Sequence, residues 1–200
     1  LVGSEMCIRD RAYRFTPFDT DKLNSKIDSE KMYDNLMNKF KFGGIDKPGI
    51  YIDENVMRMC YTHRRIFTQL VGQLIKEGKK DKALKALDYC EKVIPSTTVP
   101  HDYLMSSSKE MAENYLALGQ PQKAEKILNE LANNAVEYAT WYLSLDDARF
   151  TSSYENCMRY FYILDDVCKT MAQMKDSKTG EENKSALHYA QTVSYTHLRA

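Results

Sequence analysis

A chain of 200 residues with 43% hydrophobic and 11% aromatic content can bury a core and is too apolar for disorder. Its 28 basic and 28 acidic side chains cancel, which argues against the basic footprint that nucleic acid or an anionic membrane surface demands. No stretch approaches roughly 18 uncharged apolar residues, the tracts being short and interrupted as at Tyr160 to Leu164, so no bilayer span is expected.

Leu1 to Arg11 shows no helical or strand period, and its charges at Glu5, Arg9, Asp10 and Arg11 exclude the apolar region of a signal peptide. This stretch and Val193 to Ala200 resemble peptides made when sequencing-adapter DNA is translated with a genuine fragment. Both are expected to be artefactual tails outside the fold, and the native chain is expected to continue beyond them. Without them the charge is 25 basic against 26 acidic, so the charge argument stands.

From Ala12 to Ile27 the chain is polar and irregular, and Pro17 with Asp19 to Asp21 reads as an extended linker. A first helix is predicted over 29–41, where Met32, Leu36 and Phe40 share a face and Gly43-Gly44 ends it. Residues 12–52 thus form a linker plus one helix. Asp53 is a suitable N-cap for a long helix to about Glu77, followed by a second over 80–93 that Pro95 closes. Two further helices are predicted over 103–118 and 121–145, with Pro121 at a first helical position. After them come a helix over 153–174, a loop at 176–183 and a last helix over 182–192.

Glycines punctuate this series. Gly78 follows Phe67, Leu70, Val71 and Leu74 and precedes Ala83, Leu87 and Cys90; Gly119 follows Met111, Ala112 and Tyr115 and precedes Ala124, Leu128 and Leu131. The pattern resembles the tetratricopeptide repeat (TPR), in which two helices meet across a glycine turn and a small residue lets them approach. The resemblance implies an all-α, TPR-like helical-repeat domain over 53–192. Equivalent glycines stand 41 residues apart, seven more than the usual period of about 34, and the excess is assigned to a surface excursion at Ser96 to Asp102.

Candidate chemistry is sparse. Asp53, Glu54, Asn55 and Arg58 put acids and a base within one turn, which suits ligand binding, although a helix cap with a Glu54–Arg58 ion pair explains the spacing more simply. His63, Arg64 and Arg65 are the compact basic cluster, able to meet a phosphate or an acidic partner, or to be a solvated helix face. His63, His101 and His188 lack metal-ligand spacing to one another or to a cysteine, and Cys7, Cys60, Cys90, Cys157 and Cys168 read as buried free thiols. No nucleophile with a recognisable base, glycine-rich phosphate loop or dinucleotide fingerprint occurs, so no catalytic residue, metal or cofactor is assigned. Tyr154, Tyr160, Phe161 and Tyr162 with Trp141 and Tyr142 suit a peptide or sugar groove, but core packing is the stronger reading.

Tyr13-Arg14-Phe15-Thr16-Pro17, Met32 through Lys41, Tyr51 through Asn55 and Met57-Arg58-Met59 together resemble one family. It comprises large multi-spanning bacterial membrane proteins, related to protein O-mannosyltransferases, with a transmembrane domain of unknown function; the resemblance is to their C-terminal soluble region and covers Ala12 to about Thr192. It implies catalytic carboxylates in loops of the membrane domain, none of them in this chain, and a soluble domain of an inner-membrane protein with the periplasmic side favoured. The expected role is a non-catalytic interaction or scaffold module docking on its own membrane domain or another protein. Arg58, Thr62, Arg65 and Tyr115 would project from its concave face. The alternatives are a substrate- or acceptor-binding part of the enzyme, drawing on Tyr33-Asp34-Asn35 and Asp53-Glu54-Asn55, and a purely structural cap.

Overall fold

In a computed structural model of the chain, the structure describes residues 4–9, 12–15, 27–47, 49–174, 188, 189 and 191. Among the described residues the architecture is all-α apart from one strand pair. The chain divides between Gly119 and Gln120 into two compact units. The division falls at the turn of the second expected helix pair.

The first unit opens with β1 (Ser4–Arg9) and β2 (Ala12–Phe15), antiparallel, with Ser4 opposite Phe15, Arg9 opposite Ala12 and an irregularity between Glu5 and Arg9. The pair lies in the stretch expected as a tail and at the start of the expected linker, where the sequence shows no strand period. Strand pairing is made by main-chain groups, so it does not need an alternating side-chain pattern.

Helix α1 (Ser29–Asp34) is capped by Asp28, whose carboxylate accepts from the Lys31 amide at 3.1 Å. It continues as one π-helical turn over Asn35–Lys39, closed by the Phe40 amide donating to the Asn35 carbonyl. Met32 and Leu36 are its buried side chains. Polar contacts tie it to the next turn: Ser29 Oγ donates to Glu77 Oε2 at 2.7 Å, and Glu30 accepts from Lys79 and Lys82, each at 2.7 Å.

Helix α2 (Glu54–Lys76) and helix α3 (Lys80–Val93) follow the predicted bounds closely. Asp53 caps α2 by accepting from the amides of Asn55 and Val56 at 2.8 and 3.0 Å. At its far end Gly78 takes a left-handed φ of 76°. The Lys79 amide then reaches the Leu74 carbonyl and the Gly78 amide the Ile75 carbonyl, the paired bonds of a Schellman stop. The turn lets α3 fold back on α2, so Phe67, Leu70, Val71 and Leu74 meet Ala83, Ala86, Leu87 and Cys90, all fully buried. Ala83→Leu is expected to overpack this contact and lower unfolding free energy by about 1–3 kcal/mol, measured by urea denaturation.

Helix α4 (Ser108–Ala117) starts five residues later than predicted. The Asp102 carboxylate accepts from the Met105 amide and Ser106 Oγ donates to the Asp102 carbonyl at 2.7 Å, so local side chains fold 102–106 as a turn instead of a first helical turn. Ser107, at a φ of 51°, then redirects the chain into α4. Met111, Ala112 and Tyr115 are buried, and Tyr115 donates to Asp88 Oδ1 on α3 at 3.2 Å. Tyr115 therefore does not project from a recognition face. Burial, with Glu91 and Asp88 nearby, pushes its hydroxyl well above the usual tyrosine range.

The Glu77 carboxylate is shifted strongly downward. Hydrogen bonds from Lys79, Gln73 and Ser29 lower it from an ordinary 4.5 to about 2. A depressed carboxylate stabilises the fold above its ordinary value and loses that contribution as pH falls through its folded value. The stability gap between the wild type and Glu77→Gln is therefore expected to shrink as pH drops from about 4.5 to about 2, read as the difference in urea midpoints.

The second unit is built on α5 (Pro121–Leu143) and α6 (Asp147–Ala172), joined by Ser144 to Asp146 and packed along each other. Pro121 opens α5. Asp146 caps α6 by accepting from the Arg149 amide at 3.1 Å, six residues before the predicted start, because 147–152 lacks an apolar period while its cap is explicit. Ala124, Leu128, Leu131, Ala135 and Ala139 are buried on α5, and Cys157, Phe161, Leu164, Val167 and Met171 on α6. Tyr189 donates to Asn133 Oδ1 at 2.7 Å. The predicted 176–183 loop and last helix lie outside the described residues, except for 188, 189 and 191, which are helical.

Candidate functional site

The sequence places its binding candidates on the amino-terminal half of α2, and the structure separates them. Asp53 is occupied as the N-cap, and Glu54 Oε1 accepts from Arg58 Nη2 at 2.6 Å, both side chains being largely exposed. Asn55 and Arg65 are exposed beside them. The first turn is thus satisfied by local chemistry. Asp53→Ala is expected to cost about 1 kcal/mol through loss of the cap, read as a shift in the thermal transition.

Arg64 corrects the expectation of a surface basic pair. It is 0% exposed and donates to three backbone carbonyls: Val99 at 2.7 Å, Ile94 at 3.0 Å and Pro100 at 3.0 Å. The Ile94 carbonyl lies at the end of α3, where the helix dipole is negative, so the guanidinium satisfies carbonyls that the helix leaves open. His63 is buried as well, its Nδ1 lying 2.8 Å from the Met59 carbonyl and its ring edge-on to Phe40 and Phe42. Only Arg65 of the three faces solvent. The signal was present in the spacing, since Cys60, Arg64, Phe67, Val71 and Leu74 recur along one helical face.

The Ser96 to Asp102 stretch, expected as a surface excursion, is pinned inward at Val99 and His101, while Thr97 and Pro100 stay exposed. Ile94, Val99, His101 and Ser106 are buried, Ile94 and Val99 in a cluster with Cys60 that Phe42, Ile52 and Met57 flank. Here the fold assembles an acid, an imidazole and a hydroxyl that the sequence did not bring together. Glu91 Oε1 lies 3.6 Å from His101 Nε2, His101 Nδ1 lies 2.9 Å from Ser108 Oγ, and Ser106 Oγ bonds Ser108 Oγ. Such an order of groups can relay a proton to a serine. Both serines are wholly buried, however, and their hydroxyls are spent on the start of α4, so the chain of bonds fastens the segment and exposes no nucleophile.

Cys60, Cys90, Cys157 and Cys168 are buried free thiols. Burial pushes Cys90 up to about 12 and Cys168 to about 11, which keeps both protonated and unreactive at neutral pH. Among the described residues, no cluster of histidine, cysteine and carboxylate side chains could hold a metal ion, and no helix is long and apolar enough to cross a membrane.

The second unit divides the aromatic run between core and surface. Phe161 packs with Ala139 and Cys157 in the core, as expected. Trp141 and Tyr138 remain 55% and 50% exposed. They belong to a continuous row: Tyr138 stacks on Tyr160 at 4.7 Å, Tyr160 meets Tyr142 at 5.9 Å, and Tyr142 meets Trp141 edge-on at 4.8 Å. Rings held by one another keep their orientation with little side-chain entropy left to lose, which suits a recognition surface. Comparison with protein-family models, with curated proteins and with solved structures found no match.

Proposed function

We propose that this chain is a non-catalytic helical interaction module, TPR-like in its first helix pair, that serves a membrane-bound glycosyltransferase-like protein. The observation that carries the reading is the aromatic row of the second unit. Tyr142 and Tyr160 pack against the core of Ala139, Cys157 and Phe161, and Tyr138 and Trp141, in contact with them, are half exposed. Exposed Trp and Tyr of this kind are the side chains that concentrate binding energy when a partner desolvates them. The left-handed Gly78 turn and the buried Ala83 support the repeat comparison. The family resemblance supplies the partner, the membrane region of the parent protein, with the periplasmic side favoured.

The reading is tested by surface-capture affinity of this chain for the purified membrane region of its parent. Wild type is expected to bind, Tyr138→Ala/Trp141→Ala to bind at least about tenfold more weakly, and neither variant to lose helicity. Equal binding by both would remove the aromatic row from the function, and sugar transfer by the chain alone would overturn the non-catalytic reading.

A further inference from the structure

On the outer face of α6, away from the ring row, Tyr154, Met158 and Tyr162 recur at i, i+4 and i+8 and are all exposed, Tyr162 by 67%. An amphipathic helix normally turns such a stripe toward a partner. One pair of charges is placed antisymmetrically about Met158. Asp147 lies eleven residues before Met158 and Lys169 eleven after, three helical turns away in each direction and hence on the same face.

We infer that this face pairs with its own copy, two α6 helices lying antiparallel across a two-fold axis through Met158. A two-fold contact must be self-complementary, residue i meeting j and j meeting i. In this register, Tyr154 of one chain meets Tyr162 of the other in two equivalent ring pairs, and the Met158 side chains meet on the axis. Asp147 falls opposite Lys169 at both ends, and Thr151 falls opposite Asp165. Lys169 already bonds Asp165 Oδ2 at 2.6 Å within one chain, so the second carboxylate joins an existing pair and orders it across the interface. Asp166 lies at the edge of the face, outside the paired positions. The paired stretch from Asp147 to Lys169 runs about 33 Å, which gives a small interface and a weak, concentration-dependent dimer. The inference goes beyond the proposed function and does not depend on it, since the aromatic row lies on another flank of the unit.

The test is sedimentation equilibrium of the full chain under reducing conditions, up to millimolar concentration. The wild type is expected to reach twice the mass of one chain. Tyr154→Ser/Tyr162→Ser, both at exposed positions, is expected to weaken association by about a hundredfold without loss of helicity. Asp147→Lys and Lys169→Asp are each expected to weaken it by about five- to tenfold, and the double exchange to restore it. As a second readout in a Cys7→Ser background, Met158→Cys under mild oxidation is expected to give a disulfide-linked dimer, while Cys7→Ser alone and Asn156→Cys in that background give none. A wild type that stays single throughout would overturn the proposal. A dimer that survives loss of both tyrosines, or a double exchange that fails to restore association, would overturn it as well.

Discussion

Arg64→Met is expected to lower the unfolding free energy by about 3–5 kcal/mol, while Arg65→Met changes it by less than about 0.5 kcal/mol. The two side chains are adjacent in sequence and opposite in situation. Arg64 bonds the carbonyls of Ile94, Val99 and Pro100 and is wholly buried, whereas Arg65 faces solvent. Methionine fills similar space but donates nothing, so three carbonyls lose a charged donor where water cannot replace it. Lysine keeps the charge without the planar fork and is expected to recover only part of the loss. Urea denaturation followed by circular dichroism decides the matter. Equal effects at 64 and 65 would show that the guanidinium does not hold the 94–107 segment.

Phe67→Ala is expected to cost about 3–5 kcal/mol, the usual penalty for emptying a fully buried aromatic site. The ring lies 6.1 Å from Phe42 and 6.2 Å from Tyr89, and so joins α2 both to the segment after α1 and to α3. Its removal opens a cavity between three pieces of chain that cannot collapse together without moving a helix. The loss should therefore stand toward the upper end of the range. A change below about 1 kcal/mol in the same denaturation experiment would contradict the packing described for this unit.

Helix ends marked by explicit chemistry were legible. Asp53, Gly78 and Pro95 bound α2 and α3 because a cap, a left-handed glycine and a missing amide each act within one turn. The starts of α4 and α6 were not. Each is decided by a polar side chain, Asp102 closing a turn ahead of α4 or Asp146 capping α6, in competition with neighbouring serines and aspartates that look alike in sequence. Arg64 was readable by position, on the same stripe as Cys60 and Phe67, and was misread by residue type, because a charge on an apolar face is taken as exposed until its acceptors are known. Those acceptors lie 30 to 36 residues away, which no local pattern reports. The Glu91, His101 and Ser108 chain failed to emerge for the same reason, since two residues of a polar loop had to be folded against the end of α3. The aromatic run told only half its story. Periodicity assigned Phe161 to the core, but it does not report how neighbouring rings stack: Tyr142 and Tyr160 pack against that core, while Tyr138 and Trp141, in contact with them, stay half exposed.

Trp141 is the single tryptophan of the chain and a member of that row, so it reports directly on whether the row is a recognition surface. The decisive measurement is its fluorescence emission as the detergent-purified membrane region of the parent protein proposed above, with its own tryptophans replaced by phenylalanine, is added to the chain. Desolvation by a bound partner predicts a saturable shift to shorter wavelength that Tyr138→Ala weakens and that Arg65→Glu leaves nearly unchanged. An emission maximum that stays where solvent holds it, while binding is independently shown to occur, would contradict the account.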